Sequence, residues 1–317
     1  MKLMILDGNS VINRAFYGVR LLTTKDGLFT NAIYGFLNIL EKLRNDEQPD
    51  ALCVAFDLKA PTFRHLRYDG YKATRHPMPE ELAMQMPIMK DVLRAMNIPI
   101  YACEGWEADD VIGTVGRQCS AAGWDCVIVT GDRDSLQLVD EHVRVKLVAS
   151  RGGQTSATLY DEETFRAEYG FEPLRLIDLK SLMGDSSDNI PGVAGVGPKT
   201  ATGLLLEYGT LDGVYAHLDE IKESVRKKLK AGRENAYLSY ELATIRCEAP
   251  IDFTPEGNLI QPPDEGALYE LFLRLEFTRL IARYGLHAPQ KKAPEERVAG
   301  ACTSERVTDA ARARALA

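Results

Sequence analysis

Aspartates follow directly on three short apolar runs: Leu6-Asp7, Phe56-Asp57 and Thr130-Gly131-Asp132-Arg133-Asp134. The segment Glu104-Gly105-Trp106-Glu107-Ala108-Asp109-Asp110 adds a further group, and Met183-Gly184-Asp185-Ser186-Ser187-Asp188 another. Asp7, Asp57, Glu107, Asp109, Asp110, Asp132, Asp134, Asp185 and Asp188, if held close together, would repel and raise one another's pKa. Hard divalent cations relieve that strain, and an oxygen-only set without His or Cys points to Mg²⁺ or Mn²⁺. Two such ions a few ångströms apart drive in-line attack of water on a phosphodiester. Each acid taken singly reads more simply as a loop acid or helix cap. Glu107 and Asp110 share a helix face, yet a helix start needs one capping acid and not three. Asp185 and Asp188 close a helix, where negative charge is unfavourable unless a cation compensates.

The elements that would position these acids are legible. Lys2–Leu6, Ala51–Phe56 and Asp125–Thr130 read as strands buried on both faces, with a further strand at Val143–Val148. A Gly152-Gly153 turn and a short strand near Thr158–Tyr160 follow. Helical patterns at Asn31–Leu43 and Pro79–Met96 separate the strands, which predicts an α/β domain with a mainly parallel sheet. The carboxyl ends of such strands share one crevice, so Asp7, Asp57, Asp132 and Asp134 converge there. Asp161 predicts the N-cap of a helix reaching Tyr169, and from Pro173 the pattern is mostly helical. The division expected is an α/β domain over 1–170, an all-α domain over 171–286, and a tail over 287–317. That tail has no aromatic residue and reads as a mobile segment or the truncated start of a following domain.

Bulk composition excludes some classes. The chain has 317 residues, 45% hydrophobic, and no apolar run of the ~18 residues a membrane span requires. Its six cysteines form no CxxC pair, which fits a reduced, cytoplasmic protein rather than a zinc module. The formal charge of −8 argues against a nucleic-acid partner only if position is ignored. Basic residues gather between Lys59 and His76 and between Lys222 and Arg233, away from the acids.

Two further stretches point to DNA. In Asn189-Ile-Pro-Gly192-Val-Ala-Gly195-Val-Gly197-Pro198-Lys199-Thr200, a Gly-rich turn opens a helix with Pro198 at its first position. Exposed N–H groups at such a start bind anions, and Lys199 adds charge. A plain helical hairpin would also use Gly and Pro, but Gly-Val-Gly-Pro-Lys-Thr matches the helix–hairpin–helix pattern that grips a strand without reading bases. In Arg64-His-Leu-Arg67-Tyr68-Asp-Gly-Tyr71-Lys72-Ala-Thr-Arg75, cations alternate with tyrosines, as in single-strand guides and also in solvated amphipathic helices.

Taken in order, these motifs resemble those of the 5′ nuclease (flap endonuclease) family over residues 1 to about 285, most nearly its branch of bacterial DNA polymerase I nuclease domains. The resemblance implies a PIN-like domain with a helical arch at about 59–90, followed by a helix-three-turn-helix domain. It implies two metal clusters, one of Asp7, Asp57, Glu107, Asp109 and Asp110, the other of Asp132, Asp134, Asp185 and Asp188. By the same resemblance Lys72 is the arch lysine that neutralises the scissile phosphate and Arg75 the neighbouring arch arginine, Tyr71 stacks on the terminal nucleotide, and Arg14 and Phe16 lie in the region that handles the DNA end. Gly192, Gly195, Gly197, Lys199 and Thr200 would hold a strand, with K⁺ at the hairpin. Implied partners are branched, nicked or gapped DNA and RNA–DNA primer ends, bound by a monomer, with polymerase domains joined beyond this chain. The rival readings are a non-catalytic DNA-structure binder on the same fold, a Toprim-type enzyme and an RNA-directed PIN nuclease. The complete acid set disfavours the first, and Asp185, Asp188 and the hairpin disfavour the others.

Overall fold

The computed structural model describes residues 1–151 and 154–288. The expected Gly152-Gly153 turn and the tail from residue 289 lie outside the described residues.

Six strands form one sheet: β1 Lys2–Asp7, β2 Ala51–Ala55, β3 Ile100–Tyr101, β4 Asp125–Thr130, β5 Val143–Arg151 and β6 Gln154–Tyr160. Their order is β3-β2-β1-β4-β5-β6, parallel from β3 to β5, with β6 antiparallel at the edge. Adjacency of β2, β1 and β4 brings the strand-end aspartates to one edge. Sequence patterning missed β3, because two half-buried residues carry no periodic signal.

Each central strand alternates between two cores. Met4, Leu6, Leu52 and Val54 face α1 (Gly8–Gly18), α2 (Asn31–Glu47) and the later α5. Leu3, Ile5, Cys53 and Ile128 face α6 (Ala108–Ala121) and the helices of the second half. Between β2 and β3 lie α3 (Phe63–Arg67), α4 (Glu80–Ala83) and α5 (Gln85–Ala95). The helix expected over Pro79–Met96 is thus broken at Met84. Pro87 explains the break, since it has no N–H to return to the carbonyl of Ala83. The expected arch is only partly helical. Gly70, Pro77 and Pro79 interrupt it, and after α3 the chain turns through 68–74 with Lys72 at φ +56°.

In the second half, α7 (Glu162–Tyr169) opens on Asp161, whose side chain accepts from the Thr164 N–H, as expected. Then come α8 (Leu176–Met183), α9 (Pro198–Tyr208), α10 (Leu211–Ala216), α11 (Glu223–Ala231), α12 (Arg233–Ala243), α13 (Glu265–Arg274) and α14 (Thr278–Tyr284). Helices α8 to α12 pack in the same core as α6, so residue 170 marks a change of element type and not a gap in packing. The last two helices fold back: Leu268, Phe272 and Leu280 enter the core of α2 and α5, and Arg283 pairs with Glu41 at 2.5 Å.

Candidate metal centre

Four of the nine carboxylates line one open cavity of about 640 Å³: Asp7, Asp57, Asp109 and Asp132. Asp7 ends β1 and caps α1, accepting from the Ser10 N–H at 2.9 Å and the Thr130 hydroxyl at 2.8 Å. The same Thr130 oxygen accepts the Asp132 N–H at 3.1 Å, and the Ser10 hydroxyl accepts the Gly131 N–H at 2.8 Å. Ser10 and Thr130 therefore clamp the ends of β1 and β4 together. Asp57 accepts from the Ala108 N–H at 2.8 Å, which fixes the start of α6 and with it Asp109. Gly8 is required here because a Cβ would strike the Phe56 ring.

Among the described residues none of the four has a basic side chain within ion-pairing distance. Burial, then the neighbouring Asp57 and Asp132, pushes the Asp7 carboxyl up to about 6. Burial, then Asp132 and Asp7, pushes Asp109 well above the usual carboxylate range. Among the described residues no ion pair at contact distance offsets the charge of the cluster; against the upward push of burial, Lys72 lowers Asp57 and Asp109, and Arg75 lowers Asp57, only from further away.

The other five acids are compensated by the protein. Asp110 is fully buried, with both oxygens on the Arg64 guanidinium at 2.7 and 2.8 Å, and accepts further from the N–H groups of Glu107 and Arg246. Glu107 and Asp110 also form a reciprocal capping box at the start of α6. Two acids cap this helix, where the sequence argued for one, and Asp110 has no direction left for an ion. Glu107 takes Lys72 at 2.8 Å and the Tyr71 hydroxyl at 2.9 Å. Asp188 takes Arg75 at 2.5 Å, with Lys72 at 3.8 Å. Lys180 pairs with both Asp134 and Asp185. Burial alone would raise Asp185, but Lys180 and Ser187 outweigh it and hold the carboxyl at about 2. Asp134 is pushed up to about 7, chiefly by burial and by Asp132, against the pull of Lys180. The cation that the end of α8 demands is thus supplied by lysine and arginine side chains. Among the described residues no three of these acids, as placed, form a group that could hold an ion. The inner four remain suited to hard divalent cations: they are oxygen donors, clustered, and short of positive charge.

Several expected DNA contacts sit differently from the sequence reading. Tyr71 is 4% exposed, its ring edge-on to His65 and beneath the Lys72 ammonium, and so offers no stacking face. Phe16 is buried in the core. Arg14 lines the cavity wall and donates to the Gly131 carbonyl at 2.6 Å, so close to Gly131 that a Cβ there would force the guanidinium to shift. Lys72 and Arg75 do line the cavity above the acids. At the hairpin, Gly197 and Lys199 are exposed and Thr200 partly so, and Pro198 opens α9 with Gly197 as its cap, as expected. Gly192 is internal: φ is +58°, its N–H goes to the Ser239 hydroxyl at 2.9 Å, and a Cβ would meet the Gly184 backbone. The Gly195 carbonyl already receives the Lys228 ammonium at 2.9 Å, so the chain supplies a cation where the resemblance implies K⁺ nearby. Sequence reasoning missed Ser10, Thr130, Lys180 and Arg64 as partners of the acids. Only the polar run Asn9-Ser10 directly after a strand gave a signal.

A mainly parallel α/β sheet with acids at its strand ends, joined to a helical hairpin module, defines the class of a resolvase-like domain followed by a SAM-like helical one. This chain belongs to the 5′-3′ exonuclease family: residues 2–170 match its N-terminal resolvase-like domain and residues 171–266 its C-terminal SAM fold. It is 46% identical over 286 residues to DNA polymerase I of Caldicellulosiruptor bescii, covering 90% of this chain and 34% of that protein. It is 40% identical over 285 residues to DNA polymerase I of Bacillus subtilis, covering 90% of this chain and 32% of that protein. The chain thus spans about a third of the length of these relatives. In fold it is similar to the T5 5′-exonuclease with divalent zinc ions bound, with a TM-score of 0.61 at 21% identity, over 77% of this chain and 89% of that one. It is also similar to the catalytic core of Rad2 in complex with DNA substrate, with a TM-score of 0.58 at 18% identity, over 89% of this chain and 91% of that one. No helix among the described residues is long and apolar enough to cross a membrane.

Proposed function

We propose that this chain hydrolyses DNA phosphodiesters from 5′ ends and at the base of 5′ flaps, as a 5′→3′ exonuclease and structure-specific endonuclease. The observation that carries the reading is a cavity lined by three unpaired carboxylates at adjacent strand ends, Asp7, Asp57 and Asp132, and a fourth, Asp109, at the start of α6, together with Arg14, Lys72 and Arg75. Divalent ions bound there, Mg²⁺ or Mn²⁺, would supply activation of water and charge neutralisation at the scissile phosphate.

The inner four acids would hold the ions, with Glu107, Asp134, Asp185 and Asp188 as outer carboxylates. Asp110 serves the fold instead. Lys72 and Arg75 are poised to exchange a carboxylate partner for an incoming phosphate, stabilising charge that develops on it. That exchange releases Glu107 and Asp188 toward the cavity. Lys199 and the exposed N–H groups at the start of α9 would track a duplex backbone without reading sequence. The substrates that fit this reading are nicked, gapped and flapped DNA and RNA–DNA primer ends, and the work it implies is cytoplasmic primer removal and repair, beside polymerase domains on a longer chain.

The test is cleavage of a 5′-labelled flap with Mg²⁺, with Mn²⁺ and with chelator. Cutting near the junction that disappears with chelator is expected. Tight flap binding without cutting under any metal would instead favour the non-catalytic DNA binder.

A further inference from the structure

The burial of Tyr71 leaves the proposed reaction without the stacking residue that the resemblance implies, and the same cavity offers another. Tyr17, in the last turn of α1, is 73% exposed and is the cavity's one Phe, Tyr or Trp side chain. Its ring stands edge-on against Phe16, with centroids 5.1 Å apart at 80°. Phe16 is anchored in the core and braces Tyr17 from one side, while most of the Tyr17 side chain stays open to solvent. Pro77, Met78 and Pro79 line the same cavity, with Met78 37% exposed. A cavity that combines acids, one exposed aromatic ring, apolar side chains and the cations Arg14, Lys72 and Arg75 suits a nucleotide, whose base has two apolar faces and whose phosphate seeks cations. Exposing so much aromatic surface gives the fold nothing: Tyr17 belongs to neither core.

We propose that Tyr17 is the platform on which the nucleobase beside the scissile phosphate stacks, a positioning residue for the hydrolysis proposed above and dependent on that reading. Its role is sequence-tolerant, because every base presents a π face.

The test compares wild type, Tyr17→Phe, Tyr17→Leu and Tyr17→Ala on matched flap substrates. One substrate is fully natural, and the others carry an abasic residue on either side of the cut. Tyr17→Ala is expected to lower kcat/KM on natural DNA about 5- to 150-fold, the ~1–3 kcal/mol of a stacked base at 1.36 kcal/mol per tenfold. Tyr17→Phe, which keeps the π face, stays within about 2-fold of wild type, and Tyr17→Leu falls toward Ala. On the abasic substrate that removes the stacked base, wild type loses a similar factor and Tyr17→Ala loses nothing more, the non-additivity that marks a direct contact. Wild-type rates from Tyr17→Ala, or an equal loss on natural and both abasic substrates, would overturn the proposal alone. Wild type that cuts no substrate with any divalent metal would overturn it together with the nuclease reading.

Discussion

The inner and outer halves of the acidic constellation are built from the same residue types and behave oppositely. Around Asp7, Asp57, Asp109 and Asp132 the protein supplies hydroxyl and amide donors, and its cations Arg14, Lys72 and Arg75 line the same cavity without pairing with these four acids. Around Asp110, Glu107, Asp134, Asp185 and Asp188 it supplies Arg64, Lys72, Arg75 and Lys180. Of the outer acids, Asp134 and Asp188 join the two halves of the chain through Lys180 and Arg75, whereas the inner acids carry the cost of buried like charge. A fold retains such a cost where the charge has other work. An acid motif in sequence is thus a statement about location, and the partner of each acid decides its role.

The largest expected effect separates the halves at the catalytic level. Asp7→Asn or Asp109→Asn should slow single-turnover flap cleavage by at least about 10³-fold, the several kcal/mol that metal-assisted charge stabilisation is worth. Either change removes a buried, repelled charge, so the melting temperature should hold or rise. A clear fall in melting temperature would break the comparison. Asp110→Asn should do the reverse and destabilise by about 3–5 kcal/mol in urea unfolding, because it leaves the buried Arg64 without its partner. The double change Arg64→Met with Asp110→Leu should recover much of that stability, as apolar replacement of a buried pair often does.

How much of this was legible follows the same division. Strand ends, the clustering of acids at one sheet edge, the Asp161 cap and the Pro198 helix start rest on local patterns, and all could be read directly. Pairings such as Arg64–Asp110 and Lys180–Asp134 join residues 46 positions apart, and no local pattern announces them. The lysine-and-tyrosine alternation around Tyr71 looked like an exposed guide. It folds inward instead, because Glu107 and Asp188 below it demand donors.

A smaller effect sharpens the picture of the inner site. Thr130→Val keeps shape but removes the hydroxyl that joins Asp7 to the Asp132 backbone. A hydrogen bond to a charged group is worth about 1.5–3 kcal/mol, so cleavage should fall about 10- to 150-fold while Thr130→Ser stays near wild type. Equal activity in Val and Ser variants would remove Thr130 from the site.

The smallest expected effect lies outside both halves. Burial raises the Glu47 carboxyl, but Lys146 and Lys2 outweigh it and hold it below its ordinary value of 4.5. A carboxylate depressed in the folded state stabilises above its unfolded pKa, and that contribution is lost as pH falls through the folded value. Thermal melts of Glu47→Gln should therefore lose the part of the acid-limb slope below about pH 4.5 that wild type shows. Parallel curves would mean that the Glu47 pairs contribute nothing measurable.

The central claim is that the unpaired acids, and not the paired ones, form the metal site. Calorimetric titration of Mn²⁺ into wild type, Asp109→Asn and Asp110→Asn tests it most directly. The account predicts that Asp109→Asn weakens binding at least about tenfold, as loss of a ligand does, while folded Asp110→Asn binds as wild type. Unchanged binding in Asp109→Asn, with binding lost in a folded Asp110→Asn, would contradict it.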